Sequence, residues 1–274
     1  MKKINLHNFI ISNSEPFCLI CGPCVIENRD HTLMMAELIN KICQELKINF
    51  IFKSSFDKAN RSSINSERGV GLEKSLEIFS EVKKLFGCPI LTDVHNENQC
   101  KIIGDSLIVD IIQIPAFLSR QTDLLIAAGN TKKIINIKKG QFLSPHDMPN
   151  AIDKVLQTKN ENIILTERGV SFGYNNLISD FRSIEIMKEN KYPVVFDATH
   201  SVQEPGGLGN KSGGKREFVS VLSKAAIAVG VAGIFIESHN DPENAPSDGP
   251  NMLNIKDLKS LLIKLKDLDS VIKS

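Results

Sequence analysis

Aromatic residues are scarce in this 274-residue sequence, which has no tryptophan and only two tyrosines. A marked excess of one charge is also missing, because 33 basic residues face 32 acidic ones and the formal net charge is +1. A chain without a basic surplus lacks the electrostatic footprint of nucleic-acid binding. We therefore expect small-molecule partners and no nucleic acid.

Long apolar runs are absent as well. The longest, Leu107 to Leu118, is interrupted by Asp110 and Gln113, whereas a membrane span needs about 18 uninterrupted apolar residues. The N-terminal stretch shows no cleavage pattern of a secretory signal, and six cysteines in this length are too few for a disulfide scaffold. We expect a soluble, cytoplasmic protein with reduced thiols and no membrane contact.

Short apolar runs rich in β-branched residues recur at eight places and alternate with helical patterns. Their nearly continuous hydrophobicity is typical of strands covered on both faces, as in a parallel sheet. With no linker between them, they favour a single (β/α)8 TIM barrel over an open doubly wound sheet. The whole chain, 1–274, would be one catalytic barrel, with 1–16 as an N-terminal extension. The strands are predicted at 17–23, 49–55, 88–94, 109–115, 133–139, 162–168, 193–199 and 233–239, and the clearest helices at 32–46, 73–86, 216–229 and 255–268.

Polar residues stand at or just beyond the C-terminal ends of these strands, where packing gives no reason for them. In a barrel those ends converge on one mouth, which carries the active site. The sequence therefore predicts one pocket assembled from distant parts of the chain. Its polar residues would be Cys24, Lys53, Asp93, His95, Gln113, Lys138, Arg168, Asp197, His200, Glu237 and His239.

Cations are concentrated at this predicted mouth although the net charge is close to zero. They indicate a phosphorylated, acidic substrate, because guanidinium and ammonium groups bind phosphate and carboxylate. The alternative is pairing with nearby acids, but Glu167 and Arg168 are strand neighbours and should face opposite sides. The cations are Lys53, Lys58, Arg61, Lys138, Lys139 and Arg168.

Four residues on different predicted loops could bind a metal ion: Cys24, His200, Glu237 and Asp248. A thiolate, an imidazole and two carboxylates suit Fe²⁺, Zn²⁺, Mn²⁺ or Co²⁺ better than Mg²⁺ or Ca²⁺. Because these four residues lie far apart in the sequence, their spacing is equally consistent with an ordinary structural role for each of them. The segment 205–214 is glycine-rich and is predicted to be either a mobile, phosphate-binding lid or a flexible surface loop.

Longer blocks of distinctive sequence lie between Phe17 and Pro250 and include KSSFDKANRSS (53–63), IIQIPAFLSRQTDLL (111–125), KKGQF (138–142), FDATHSVQ (196–203) and SDGP (247–250). These blocks resemble the 3-deoxy-D-manno-octulosonate 8-phosphate synthases, also named 2-dehydro-3-deoxyphosphooctonate aldolases. The resemblance implies a (β/α)8 barrel, typically a homotetramer, that condenses phosphoenolpyruvate with D-arabinose 5-phosphate and water and releases phosphate. The product would serve lipopolysaccharide core synthesis in a Gram-negative cytoplasm.

The resemblance also implies roles for single residues. Lys138, Arg168 and the backbone amide of Ala116 would hold the phosphate of phosphoenolpyruvate, and Ser55 and Lys58 would hold its carboxylate. Arabinose 5-phosphate would bind a second set, Asn60, Arg61 and Ser62, of which Arg61 and Ser62 would reach a neighbouring subunit's site. The remaining catalytic pocket would be lined by Lys53, Asp93, His95, Gln113, Asp197 and His200.

The same family has metal-dependent and metal-independent branches, separated largely by cysteine or asparagine at the position of Cys24. Cysteine implies the metal-dependent branch, with Cys24, His200, Glu237 and Asp248 as ligands of an ion that polarises the aldehyde or orients the attacking water. Pro246 departs from the family pattern two residues before Asp248, so the approach of that loop is expected to differ.

Three other functions remain as alternatives. The related 3-deoxy-D-arabino-heptulosonate 7-phosphate synthases use erythrose 4-phosphate, but they have a K-P-R-T-S-like block where this chain has KANRSS (58–63). A phosphosugar-binding regulator would have no reason to keep a complete ligand set. A dithiol oxidoreductase would use the motif Cys21-Gly-Pro-Cys24, but it needs both thiols exposed, whereas Cys21 is expected in the core.

Overall fold

The predicted strands lie side by side in a computed structural model of the chain, which describes residues 1–60, 63, 67–207 and 213–274. The described strands are β1 (Ile4–Leu6), β2 (Phe9–Ile11), β3 (Cys18–Gly22), β4 (Phe50–Lys53), β5 (Ile90–Asp93), β6 (Ile111–Ile114), β7 (Ile134–Lys138), β8 (Ile163–Glu167), β9 (Val170–Ser171), β10 (Leu177–Ile178), β11 (Val194–Asp197), β12 (Gln203–Glu204), β13 (Gly213–Gly214), β14 (Gly233–His239) and β15 (Leu253–Asn254).

Helices follow the barrel strands along the chain. They are α1 (Arg29–Leu46), α2 (Leu72–Phe86), α3 (Glu97–Asp105), α4 (Thr122–Asn130), α5 (Met148–Leu156), α6 (Arg182–Lys188), α7 (Val219–Ala228) and α8 (Ile255–Ile272). Among the described residues, none of these helices has the length and apolar character that crossing a membrane requires.

Eight strands, β3 to β8 with β11 and β14, close into a ring. Each pairs in parallel with its neighbour in chain order, and β14 pairs with both β11 and β3. An open doubly wound sheet would leave two unpaired edges, so the ring closure excludes it. The predicted (β/α)8 barrel is confirmed.

Alternation along each strand separates two buried layers. Leu19 and Phe52 point outward and pack beneath the helices. Ile20, Ile51 and Leu91 point inward and pack together in the barrel interior. Because both faces are covered, the strands read as continuous apolar runs rather than as alternating ones.

The N-terminal segment closes the lower end of the barrel. β1 and β2 form an antiparallel hairpin in which Ile4 pairs with Ile11. Ile4, Leu6 and Ile11 belong to the same apolar cluster as the inward-facing barrel residues. Asn13 then accepts a hydrogen bond from the Val194 backbone N–H at 2.8 Å. The lower end is therefore apolar and filled.

The upper, C-terminal end of the barrel is polar instead. Inward-facing Asn136 donates to Gln113 Oε1 at 3.2 Å and accepts from the Thr166 hydroxyl at 2.6 Å. Buried polar groups are tolerated where they are hydrogen-bonded in this way. This row of side chains separates the apolar interior from the cavity above it.

Gly22 ends β3 and lies against the backbone of Lys53. A methyl group at Gly22 would come within 1.9 Å of the Lys53 carbonyl oxygen, so the neighbouring strand would have to move. We predict that Gly22→Ala lowers the free energy of unfolding by about 1–3 kcal/mol or more, measured by urea denaturation. Gly104→Ala is the control, because its methyl first meets the Thr131 side chain; an equal loss in both variants would contradict this explanation.

Candidate active site

A cavity of about 570 Å³ opens at the C-terminal mouth of the barrel. Its volume falls in the range of small-molecule sites, about 300–1,000 Å³. Cys24, Asp197 and Glu237 are buried directly behind its wall, and Arg61 and Ser62 lie outside the described residues. The predicted site residues that line the cavity are Lys53, Ser55, Lys58, Asn60, Asp93, His95, Gln113, Ala116, Lys138, Arg168, His200 and Asp248.

Lys138 and Arg168 face the cavity from the ends of β7 and β8. Lys138 Nζ lies 2.5 Å from Asp197 Oδ2, and burial lowers the pKa of Lys138 while Asp197 opposes that shift. Arg168 Nη2 donates to the His200 carbonyl at 3.1 Å and to Gln203 Oε1 at 3.0 Å. Two buried cations beside one cavity could together bind an anionic group of a ligand.

Lys139 is not part of this site, so that prediction is wrong. It follows Lys138 and faces the opposite side of the barrel wall. Its ammonium donates to the carbonyls of Gly140 and Leu143 and lies 3.5 Å from Glu167. Pairing with Glu167 therefore accounts for Lys139, whereas Lys138 lines the cavity in addition to its pairing with Asp197.

Glu237 lies at the centre of a second charged group. Lys53 Nζ donates to Glu237 Oε1 at 2.8 Å, and Lys58 Nζ lies 3.8 Å from the same oxygen. Burial alone would raise the pKa of Glu237, but the charges of Lys53, His200 and Lys58 hold it well below its usual range. Glu237 is therefore a carboxylate, and its Oε2 is buried with no hydrogen-bond partner among the described residues.

Asp93 organises a third group beside the first two. Ser55 Oγ donates to Asp93 Oδ1 at 2.5 Å, and His95 Nε2 lies 3.1 Å from Asp93 Oδ2. Burial would raise the pKa of Asp93, but the hydrogen bond from His95 and the charge of Lys53 keep it well below its usual range. A carboxylate next to an imidazole can bind hydroxyl or carbonyl groups of a sugar.

Three of the four predicted metal ligands, Cys24, Glu237 and Asp248, come together at the cavity wall. The fourth, His200, lies beside them and approaches Glu237. Cys24 Sγ lies 3.0 Å from Asp248 Oδ2, and the ligand atoms of Cys24, Glu237 and Asp248 lie within 4.8 Å of one another. Asp197 binds His200 Nδ1 at 2.7 Å, which leaves Nε2 at 3.6 Å from Glu237 Oε2. A cation here would satisfy the unpartnered Oε2, so the donor set fits a divalent transition metal.

Cys24 is protonated in this arrangement. Burial, followed by the charges of Asp248 and Glu237, raises the pKa of the Cys24 thiol well above its ordinary value. A bound cation would replace the thiol proton. Pro246 does not keep Asp248 from Cys24, although Asp248 takes a left-handed φ of 50°, which is uncommon for a residue other than glycine.

A second cluster, of Glu27, His31 and His239, does not fit a metal ion, although its ligand atoms also lie within 4.8 Å of one another. His239 Nδ1 accepts the Asp241 backbone N–H at 2.9 Å, so the neutral ring carries its proton on Nε2 and donates it to Glu27 at 2.7 Å. A metal ion on Nε2 would leave the ring proton on Nδ1, where it would face the Asp241 N–H donor. His239 is also absent from the cavity lining, so it does not face the cavity as the sequence predicts, and it instead pairs with Glu27.

Neutral residues without a role in the sequence analysis include Gln203, which lines the cavity, and Asn136 and Thr166, which lie beneath it. Asn136 and Thr166 precede Lys138 and Arg168 by two positions, and the period of a strand could have placed them on the same face. Gln203 bridges Arg168 and Asp248. Its only sequence signal is its place at the end of the FDATHSVQ block.

The model of the DAHP synthetase I family matches residues 2–274. The chain belongs to this family. A relative from Bartonella henselae, named 2-dehydro-3-deoxyphosphooctonate aldolase, is 59% identical over 266 residues, which cover 97% of this chain and 95% of the relative. Relatives of the same name are 59% identical in Rickettsia prowazekii, over 100% of this chain and 99% of the relative, and 56% identical in Agrobacterium fabrum, over 96% and 92%. The resemblance inferred from the motifs is confirmed.

Asp197 makes stability depend on pH. Burial would raise its pKa, but His200 and Lys138 hold it well below its usual range. A group with a lowered folded pKa stabilises the fold above its unfolded pKa, about 3.9 for aspartate, and this contribution is lost as pH falls. We predict that the free energy of unfolding falls below about pH 4 in the parent protein, and less steeply in Asp197→Asn.

Urea unfolding across the acidic range measures these slopes. Asp30→Asn is the control, because this exposed aspartate pairs only with its neighbour Arg29 at the surface, and it should keep the parent slope. Equal slopes in all three proteins would contradict the role given to Asp197.

Proposed function

We propose that this chain condenses phosphoenolpyruvate with D-arabinose 5-phosphate and water to give 3-deoxy-D-manno-octulosonate 8-phosphate and phosphate. Its relatives are named for that product. The observation that carries the proposal is the joint presence, in one cavity, of the buried Lys138 and Arg168 pair and the Asp93 and His95 group. One group suits a phosphorylated acid and the other suits a sugar.

Phosphoenolpyruvate would bind at the Lys138 and Arg168 side. Ala116 opens the short turn Ala116–Leu118, and the first N–H groups of such a turn have no acceptor within it. The backbone amide of Ala116 can therefore join the two cations on the phosphate. Ser55 and Lys58, on the opposite wall, would hold the carboxylate, which lies at the other end of this small substrate.

Arabinose 5-phosphate would bind with its aldehyde towards Asp93, His95 and Gln113. Asn60 lines the cavity and would begin the site for the sugar phosphate. C3 of phosphoenolpyruvate attacks the aldehyde carbon, whose oxygen takes up a proton, and water adds at C2. The resulting hemiketal phosphate loses phosphate by C–O cleavage. Fixed cations stabilise the developing charge, and holding both anions in one cavity supplies proximity.

A divalent cation, Fe²⁺, Zn²⁺, Mn²⁺ or Co²⁺, would be held by Cys24, His200, Glu237 and Asp248. When bound, it would supply a Lewis acid beside the reacting carbons, able to polarise the aldehyde or orient water. The unpartnered Glu237 Oε2 supports this assignment. Asp197 would keep His200 in the tautomer that presents Nε2.

The active form would be a homotetramer whose subunits complete one another's sites. Large aromatic side chains are exposed on the loops after β6, β7 and β8. The Ser171 N–H donates to the Gln141 carbonyl, which joins the last two loops, and Gly140 lies against the Ala116 backbone of the first. Patches of this kind usually mark interfaces. Phe117 also lines the cavity, which supports an interface at the site. The exposed fractions are Phe117 53%, Phe142 54%, Phe172 67% and Tyr174 98%.

A cytoplasmic location is part of the same proposal. All six cysteines are buried and free. Unpaired thiols are typical of a reducing compartment, and the location would place the enzyme where phosphorylated substrates are made.

Phosphate release tests the reaction and the metal together. Metal-stripped protein is assayed with phosphoenolpyruvate and either arabinose 5-phosphate or erythrose 4-phosphate, with and without Mn²⁺ or Co²⁺. We expect turnover only with arabinose 5-phosphate and only after metal is restored, and no restoration in Cys24→Ala. The control is Cys100→Ala, a buried cysteine on α3.

Two other results of this assay would change the assignment. Turnover that resists metal removal would disprove the metal site and keep the reaction. A preference for erythrose 4-phosphate would assign the chain to the heptulosonate synthases instead.

The assembly is tested by sedimentation of the parent and of Phe142→Asp. We expect a tetramer for the parent and a smaller species for the variant, because a charge in an apolar interface is costly. Leu107→Asp is the control, since Leu107 is 92% exposed and lies before β6, towards the lower end of the barrel. A monomeric parent protein, or equal dissociation of both variants, would rule out this interface.

A further inference from the structure

Gln203 is a neutral side chain that links the anion site to the metal site, as the charged Asp197 also does through Lys138 and His200. Its Oε1 accepts from Arg168 Nη2 at 3.0 Å, and its Nε2 donates to Asp248 Oδ1 at 3.0 Å. A guanidinium can only donate and a carboxylate can only accept, so the two partners fix which end of the amide faces which residue. Glutamine meets both needs at once.

We propose that Gln203 is a positioning residue that holds Asp248 in place for a bound metal ion and orients Arg168 for the substrate phosphate. This inference rests on the proposed metal site. Gln203 lines the cavity, and the role proposed for it passes through the two residues that it contacts.

The two carboxylate oxygens of Asp248 have different partners. Oδ1 accepts from Gln203, and Oδ2 faces Cys24 Sγ at 3.0 Å. With Oδ1 held, the carboxylate cannot rotate freely, and Oδ2 stays directed at the other ligands. Asp248 belongs to a loop and has a left-handed backbone, so its side chain gains more from such an outside contact than a residue on a strand would.

The backbone of Gln203 is itself well fixed. Gln203 opens β12, which pairs with β13 so that Gln203 lies opposite Gly214. The Lys215 N–H also donates to the Val202 carbonyl at 3.0 Å. This short ribbon sets the position from which the amide reaches Arg168 and Asp248.

Side chains that hydrogen-bond to the ligands of a metal ion usually strengthen metal binding, and their removal weakens it about 10–100-fold. Gln203→Leu keeps the approximate size and removes both hydrogen bonds. Gln203→Glu keeps an acceptor for Arg168 but places a carboxylate against Asp248. The two variants therefore separate the Arg168 contact from the Asp248 contact.

The experiment titrates Co²⁺ alone into the metal-stripped full-length protein, without substrates. Thiolate-to-cobalt absorption reports binding by Cys24, and chelator competition gives Kd. We expect Kd to rise about 10–100-fold in Gln203→Leu and also in Gln203→Glu. At saturating Co²⁺, kcat should recover in Gln203→Leu while the KM for phosphoenolpyruvate stays raised.

Glu204→Leu is the matched control on the same ribbon. Glu204 pairs with Lys215 at 2.9 Å, and this variant should keep the parent Kd and KM. A loss of metal affinity equal to that of Gln203→Leu would mean that the ribbon, and not the amide, is responsible, and would overturn the proposal.

An unchanged Co²⁺ affinity in both Gln203 variants would also overturn the proposal. If Gln203→Leu does not fold, Gln203→Glu decides the question, because it differs from the parent only at the amide. A parent protein that turns over without binding Co²⁺ would remove the metal site and this role with it. A parent that binds Co²⁺ with the thiolate signal but has no turnover would contradict the reaction alone.

Discussion

The ion pair between Lys53 and Glu237 is the interaction on which the mouth of the barrel depends. Lys53 lies on β4 and Glu237 on β14, with β3 between them, and Gly22 on β3 has no side chain to block the contact. Both charges are almost fully buried, with 1% of each side chain exposed. Breaking such a pair leaves an uncompensated buried charge, which costs about 3–5 kcal/mol. Lys58, His200 and Cys24 are then arranged around this fixed centre.

Charge compensation of this kind explains why one end of the barrel can hold so many ionised groups. Asp93, Asp197 and Glu237 are each balanced by a lysine or a histidine. The opposite end of the barrel needs no charge compensation, because the β1 and β2 hairpin fills it with isoleucine and leucine. The cavity opens at the polar end. Apolar packing therefore lies below the site, and the charged groups lie at the mouth.

The barrel could be predicted because its strands are buried on both faces and read as unbroken apolar runs. Their ends were harder to place, as the predicted 49–55 strand stops at Lys53 while Ser55 keeps a single bridge to Val25. The predicted 216–229 helix begins only at Val219, because a tighter turn occupies Arg216–Phe218.

Charged residues of the site were visible in the sequence because a charge at the end of an apolar strand has no packing explanation. The same argument failed for Lys139, where the alternation of the strand turns the side chain outward, and for His239, which pairs with Glu27. Neutral residues such as Gln203 were missed since an amide near a strand end is not unusual. The individual substrate roles came only from the motif resemblance, because spacing does not distinguish one phosphate site from another.

The pair formed by Glu27 and His239 lies where the barrel closes, since β3 is its first strand and β14 its last. The loop that carries Cys24 leaves β3, and the loop that carries Asp248 follows β14. These two side chains, proposed as metal ligands, can meet only after the first and last strands of the barrel have paired. A cation bound between them would connect the first and last strands of the barrel, and its binding free energy would add to the stability of the closed ring.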